Sequence, residues 1–304
     1  MNGDGMNENP ALATPGVPGN GLKVFLELSK AHLSFYIALS AVAGHVLAQG
    51  RVDLESLVLG GWVFMLAGGS GVLNNIQDRE YDQKFPRTRN RVLARRAFPL
   101  KGAWIMVGVL IGFAGAGLYF SYPSILPVIL GMSAVVCYNG LYTPMKKANL
   151  WAMVPGTVCG MIPPAMGWAA VPGNLCSADI SGLVILTVCL GSWQFPHYLL
   201  VNLKQGAACC QGRSLGPGRE LQYLVLVWNS LFSMGVALFL LRGWVVNQWL
   251  FVPAFALSVF LAPALALILF YPGSRRREIR AGNAFLTMNL SMFLFLSTII
   301  LDRL

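Results

Sequence analysis

Asn74, Asp78 and Asp82 recur at intervals of four residues directly after a long apolar stretch. On a continuing helix that interval stacks side chains along one face and brings the two carboxylates close enough to share a cation. Carboxylate and amide oxygens are hard ligands of the kind Mg2+ takes, and Mg2+ held by few protein groups keeps positions open for substrate phosphate. Lys84, Arg87, Arg89 and Arg91 follow at once and offer donors for a diphosphate. Acids alone would repel such a ligand. A divalent ion with guanidinium groups beside it reverses the local field and stabilises the charge that grows on a departing diphosphate. The series also begins inside the apolar stretch, where an ionised carboxylate is costly unless it faces a cavity and a partner.

The elements that must position these groups are membrane helices. The chain has 304 residues, 56% of them hydrophobic and only 11% charged, the balance of a polytopic membrane protein rather than a soluble enzyme. Apolar stretches centre on 31–49, 56–76, 102–120, 123–141, 150–171, 179–200, 221–241, 248–271 and 283–301. Each can cross a hydrocarbon core of about 30 Å, for which about 20 helical residues suffice. The hydropathy therefore predicts an all-α fold of about nine transmembrane helices, the third and fourth joined by a tight turn at Ser121-Tyr122-Pro123.

The net charge of +10 does not argue for nucleic acid, because of where the bases fall. Nineteen of the twenty-two Lys and Arg lie before the first span or after the second, fourth, sixth and eighth; only Arg51, Arg242 and Arg303 fall on the other side. The positive-inside rule then predicts a cytoplasmic amino terminus and a carboxyl terminus outside. Residues 1–22, which open on Pro, Gly and Asn without the basic start or apolar core of a secretory signal, are expected to be a disordered cytoplasmic tail. Residues 23–304 are expected to form one membrane domain with cytoplasmic catalytic loops near 77–101 and 201–220. The six cysteines include no C-x-x-C pair and read as small buried hydrophobes.

Two further runs carry polar groups into apolar surroundings. Tyr142-Thr143-Pro144-Met145-Lys146-Lys147 precedes a span broken by Gly156, Gly160 and the run Pro163-Pro164-Ala165-Met166-Gly167-Trp168. The glycines permit close helix approach, and adjacent prolines free carbonyls that a neighbour or a cavity must satisfy. Lys146 and Lys147 serve either as positive-inside residues or as diphosphate donors. Trp193-Gln194-Phe195-Pro196-His197 places a Gln and a His near the end of an apolar span, where each needs a partner. His32 and His45, on different helix faces, read as structural.

At residues 74–91 the sequence resembles the UbiA-type intramembrane prenyltransferases, whose first acidic motif has this Asn-x-x-x-Asp-x-x-x-Asp form. The run through Lys84 and Arg87-Thr88-Arg89-Asn90-Arg91 is similar to the protohaem IX farnesyltransferase (haem O synthase) branch. So are the Tyr-Thr, Lys, Gly-x-x-x-Gly and Pro-Pro-x-x-Gly-Trp succession at 142–168 and the Trp-Gln-x-Pro-His run at 193–197, within a likeness covering roughly 28–217. The resemblance implies helices around a central cavity in a bacterial inner membrane, and transfer of a farnesyl group from farnesyl diphosphate to a vinyl group of haem b, making haem O. It implies Mg2+ at the catalytic residues Asn74, Asp78 and Asp82, and diphosphate at Lys30, Lys84, Arg87, Arg91 and Lys146. The haem would lie against Trp168, Trp193, Gln194 and His197. His197 would bind a propionate, ligate iron, assist proton transfer or serve only as a hydrogen-bonded core residue, while the two tryptophans would stack on the porphyrin, steady an allylic cation or anchor the interface. Membrane lipid and terminal-oxidase assembly proteins are the implied partners, with no nucleic acid.

The pattern departs from that branch at two places. Its Lys-Pro-Arg before the first span is Lys30-Ala31-His32 here, and the second acidic site beyond the Pro-His is replaced by residues 204–213, which hold no carboxylate. Two alternatives follow: prenylation of a quinone precursor or another ring, and a non-catalytic membrane protein that binds haem or an isoprenoid.

Overall fold

Asp53 starts the longest helix with a reciprocal cap. Its carboxylate accepts from the Ser56 backbone N–H at 2.9 Å, while the Asp53 N–H donates to Ser56 Oγ at 3.3 Å. From that anchor α3 (Leu54–Asp82) runs unbroken for 29 residues, so the acids belong to the membrane helix itself rather than to a following loop. The computed structural model describes residues 20–86, 88–173, 180–205, 219–270 and 277–304, which form helices joined by turns with no strand among them. The expected tail, up to residue 19, lies outside them.

A short helix, α1 (Gly21–Leu28), precedes α2 (Ala31–Gln49); after α3 come α4 (Leu100–Ser121) and α5 (Leu126–Val135). The α5 rod passes through a π-helical segment, Val136–Tyr142, into the single turn α6 (Thr143–Met145). Then follow α7 (Met153–Ala170), α8 (Ser181–Gln205), α9 (Arg219–Leu241), α10 (Gln248–Phe270) and α11 (Arg277–Leu301). Counting α5 to α6 as one rod, the described residues contain nine long helices where nine spans were expected. Four rods, Ala31–Gln49, Leu54–Asp82, Leu100–Ser121 and Leu126–Met145, are long and apolar enough to cross a membrane, and shorter apolar helices lie at Leu226–Leu241, Gln248–Phe260 and Phe285–Leu301. Outward side chains such as Trp104, Phe113, Phe120 and Phe260 are exposed, as a lipid-facing surface requires.

The helices form a ring. Neighbours in sequence pack side by side, and the ring closes where α11 rests on both α8 and α2. The closest crossing is between α2 and α7: a Cβ on Gly44 would lie 2.1 Å from the Pro164 carbonyl oxygen, and one on Gly167 2.0 Å from that of Ala41. Only glycine permits that approach. Three buried apolar clusters hold the ring, one among α8 to α11, one under α1 and α4, and one from α2 through α3 to α7. The ends of α3 and α6 and the start of α7 share one face of the bundle with the basic segment that follows α3.

Candidate active site

On α3 the three predicted ligands are buried: Asn74 is 0% exposed, Asp78 2% and Asp82 5%. Each meets a cation from another segment. Lys30 Nζ donates to Asn74 Oδ1. Lys146 Nζ donates to Asp78 Oδ2 at 2.5 Å and Lys147 Nζ lies 3.0 Å from Asp78 Oδ1. Arg91 Nη1 donates to Asp82 Oδ2 at 2.7 Å. Two carboxylates thus stand among four basic side chains, a surplus of positive charge suited to a polyanionic ligand.

Lys30 reaches Asn74 through an uncommon backbone. It sits between α1 and α2 at φ 48 and ψ 47, in the left-handed region that costs a non-glycine residue roughly 1–3 kcal/mol. Its loop presses on α3 where Gly71 leaves room: a Cβ there would come 3.0 Å from the Ser29 carbonyl oxygen. Burial foremost, then the charges of Lys146 and Arg91, pull the Lys30 ammonium down to about 7. The Lys146 ammonium is also lowered, by burial, against the pull of Asp78.

The opposite wall is the π-helical segment. A π turn needs local support because it widens the helix, and such turns gather at functional sites. Here the support is Asn139. Its Nδ2 donates to the Ser70 carbonyl at 3.1 Å and to Gln77 Oε1 at 3.2 Å; its Oδ1 accepts from Ser70 Oγ at 2.6 Å and its carbonyl from Gln77 Nε2 at 3.0 Å. That clamp brings Tyr138 and Thr143 to the ligand face: Tyr138 Oη lies 3.5 Å from Lys30 Nζ, and Thr143 Oγ1 accepts from Asn74 Nδ2 at 2.8 Å. Gln77, Tyr138 and Asn139 are residues beside the site that motif spacing alone did not mark out, whereas Thr143 belongs to the Tyr-Thr run. The signal was there in Tyr138-Asn139, two polar residues inside an apolar span.

The carboxylates of Asp78 and Asp82 and the amide of Asn74 are donor types that suit a magnesium ion. Asp78 Oδ1 is buried without a well-aligned hydrogen bond although Lys147 lies beside it, so a lone pair there is unused. Among the described residues no three His, Cys, Asp or Glu side chains converge, which leaves two carboxylates and an amide oxygen. Few hard oxygens of this kind suit an ion that retains water and binds phosphate.

Two cavities meet at Lys30. One, partly open, runs between α2, α3, α5 and α7, with Lys30 and Tyr138 at the end next to the polar cluster and Leu66 and Met166 further along it. Its walls are almost wholly apolar. The other, of about 610 Å³, is bordered by Glu27, Lys30, Asn75 and Arg91.

The remaining predicted residues divide. Lys84 is exposed just past α3, and Arg87 and residues 206–218 lie outside the described residues. On α8, Gln194 presses against α7, where a Cβ on Gly160 would meet Gln194 Nε2 at 2.3 Å. His197 is held between the rings of Trp193 (4.6 Å) and Phe285 (4.8 Å), and its Nδ1 is buried without a hydrogen bond. Its neighbour Tyr198 meets Tyr142 edge-on at 6.4 Å, and Tyr142 stacks on Tyr138 at 5.3 Å, so a file of three tyrosines joins the His197 end of α8 to the mouth at Lys30.

Trp168 does not join this group. Close contacts of Gly160 with Gln194 and of Met161 with Gly191 fix α7 and α8 as antiparallel neighbours, so Trp168 is level with about residue 185. At 1.5 Å rise per residue that is about 18 Å along the bundle from His197. Trp168 is buried at the far end of α7, next to the crossing with α2.

Comparison with known proteins settles the family, because the UbiA prenyltransferase family profile matches residues 37–296. The chain belongs to the UbiA prenyltransferase family. Among its relatives, the protoheme IX farnesyltransferase of Oleidesulfovibrio alaskensis is 28% identical over 287 residues, 93% of this chain and 97% of the relative. That of Pseudomonas syringae pv. syringae is 34% identical over 180 residues, covering 58% of this chain and 59% of the relative. Solved structures share the fold: a UbiA homolog from Aeropyrum pernix K1 at TM-score 0.66 and 16% identity covers 90% of this chain and 98% of its own. A UbiA homolog from Archaeoglobus fulgidus bound to GPP and Mg2+ follows at TM-score 0.63 and 11% identity, covering 91% and 99%. This UbiA-family chain is accordingly an all-α integral membrane protein, with Lys30, Asn74, Asp78, Asp82, Arg91, Lys146 and Lys147 gathered at one end of the helix ring.

Proposed function

We propose that this protein transfers a farnesyl group from farnesyl diphosphate to a vinyl group of haem b, making haem O. The bond between farnesyl C1 and oxygen breaks, and its electron pair leaves on the diphosphate. C1 then bonds to the terminal vinyl carbon, and water adds to the carbon left electron-deficient, losing a proton to complete a hydroxyethylfarnesyl side chain. The observation that carries this reading is that Lys30 belongs at once to the polar cluster of Asn74, Asp78 and Asp82 and to the mouth of the apolar pocket. A head that is anionic and a tail that is hydrocarbon are both accommodated, on either side of one residue.

Mg2+ held by Asn74, Asp78 and Asp82 would supply Lewis-acid neutralisation of the diphosphate. The chain's own groups do the remainder. Lys30, Arg91, Lys146 and Lys147 donate to diphosphate oxygens, with Lys84 and Arg87 beyond the end of α3. The apolar pocket keeps the tail straight and water away from the reacting carbon. Trp193, Gln194 and His197 border the acceptor at the end of α8, and Trp168 has a packing role. The basic face is assigned to the cytoplasm of a bacterial inner membrane, where both substrates would present their charged groups.

Membranes containing the protein, given haem b, farnesyl diphosphate and Mg2+, are expected to yield a heavier and more apolar haem by mass spectrometry. Haem retained at unchanged mass would favour non-catalytic binding, the alternative that the carboxylate-free stretch 204–213 raises.

A further inference from the structure

We infer that Leu66, Gly131 and Met166 form a floor to the apolar pocket and set the length of prenyl chain that it accepts. This rests on the prenyl diphosphate reading above and adds the residues that measure the tail. The pocket descends from Lys30 to Ile37 on α2 and from Cys159 to Met166 on α7, two helical turns or about 11 Å in each case. With C–C bonds of about 1.5 Å, a four-carbon prenyl repeat advances about 5 Å, so two repeats fill that depth while the reacting one lies at the mouth. Three repeats make a farnesyl chain.

The bottom is closed by packing. Met166 is 1% exposed and Leu66 4%, and both belong to a core that continues beneath them through Leu59 to Tyr122. They meet over Gly131, where an added Cβ would stand 2.6 Å from Leu66 Cδ2 and 2.9 Å from Met166 Cε. Both contacts are with the free ends of flexible side chains. A larger residue at 131 would push those ends into the nearest empty space, which is the pocket, and shorten it. Trimming Met166 or Leu66 would open depth below.

The test uses the full-length protein in nanodiscs with Mg2+, and competition binding of geranyl, farnesyl and geranylgeranyl diphosphates, alongside the mass of the haem product. The wild-type protein is expected to prefer farnesyl over geranylgeranyl by about tenfold or more, the discrimination that added methylenes meet against a packed apolar wall. Met166→Ala and Leu66→Ala should erase most of that preference, and Gly131→Val should shift it towards geranyl. A gained affinity for the longer chain cannot arise from misfolding. A wild-type protein indifferent to chain length, or alanine variants that bind with the wild-type ranking, would overturn the floor. If the ranking shifts as expected while haem mass never changes, the floor stands and transfer to haem fails; if haem is farnesylated and the ranking does not shift, the reverse holds.

Discussion

Asp78 and Lys146 face each other at 2.5 Å across the contact between α3 and the turn after α6, with Lys147 closing on the second carboxylate oxygen. One buried acid therefore orders two adjacent lysines that no element of regular structure would otherwise fix. Asp78→Asn keeps the shape and removes the charge. We expect it to lower haem farnesylation by about three orders of magnitude, the scale seen when a group stabilising transition-state charge is lost, and chelation of Mg2+ to do the same to the wild-type protein. An undiminished rate in Asp78→Asn membranes of equal protein content would remove the acid from the site.

Asn139 holds the π-helical segment against α3 by four hydrogen bonds. Asn139→Leu is similar in size and leaves the buried Ser70 hydroxyl without its acceptor, at a cost of about 1–3 kcal/mol, and takes one partner from the exposed Gln77. We expect a clear fall in melting temperature in detergent and a loss of activity larger than that of Ser70→Ala, because Tyr138 and Thr143 would turn away with the relaxed helix. A variant with wild-type melting and rate would show that the π turn is held by something else.

Much of this site was legible in the residues themselves, for reasons that differ from part to part. The helical face of Asn74, Asp78 and Asp82 follows from a four-residue interval in an apolar context, and burial of all three bears that out. Tyr138-Asn139 stood out only as polar residues in an apolar span, because the partners by which Asn139 supports the π turn lie on α3, which no local pattern encodes. Lys30 was marked out by resemblance to the Lys-Pro-Arg of the branch, but its aim depends on a left-handed backbone fixed by the packing of α1. Trp168 misled because a motif places residues along the chain, whereas depth in the membrane is set by the register of α7 against α8.

Lys30 should show a trade between stability and function. Its left-handed φ is free of cost for glycine, so Lys30→Gly is expected to remove roughly 1 kcal/mol of strain or more, set against the lost bond to Asn74. The same change removes a donor from the diphosphate site. We expect a melting temperature equal to or above wild type together with a rise in KM for farnesyl diphosphate of at least about tenfold. Lys30→Ala, which keeps the strain and loses the donor, should melt lower than Lys30→Gly; the opposite order would discount the strain.

Asp53 offers a test at the face opposite the site. Burial works against its ionisation, but hydrogen bonds from the backbone and hydroxyl of Ser56 outweigh it, with His45 and Arg51 adding favourable charge, so its carboxyl is held below the usual range. A carboxyl depressed in the folded state adds stability that is fully present above its unfolded pKa and is lost as the pH falls through its folded one. Asp53→Ala should therefore cost about 1 kcal/mol at neutral pH, the usual worth of an N-cap. The gap in melting temperature between the variant and wild type should close progressively as the medium is taken below the carboxylate range. A gap that stays constant to low pH would mean that the helix start is held by packing and not by the ionised cap.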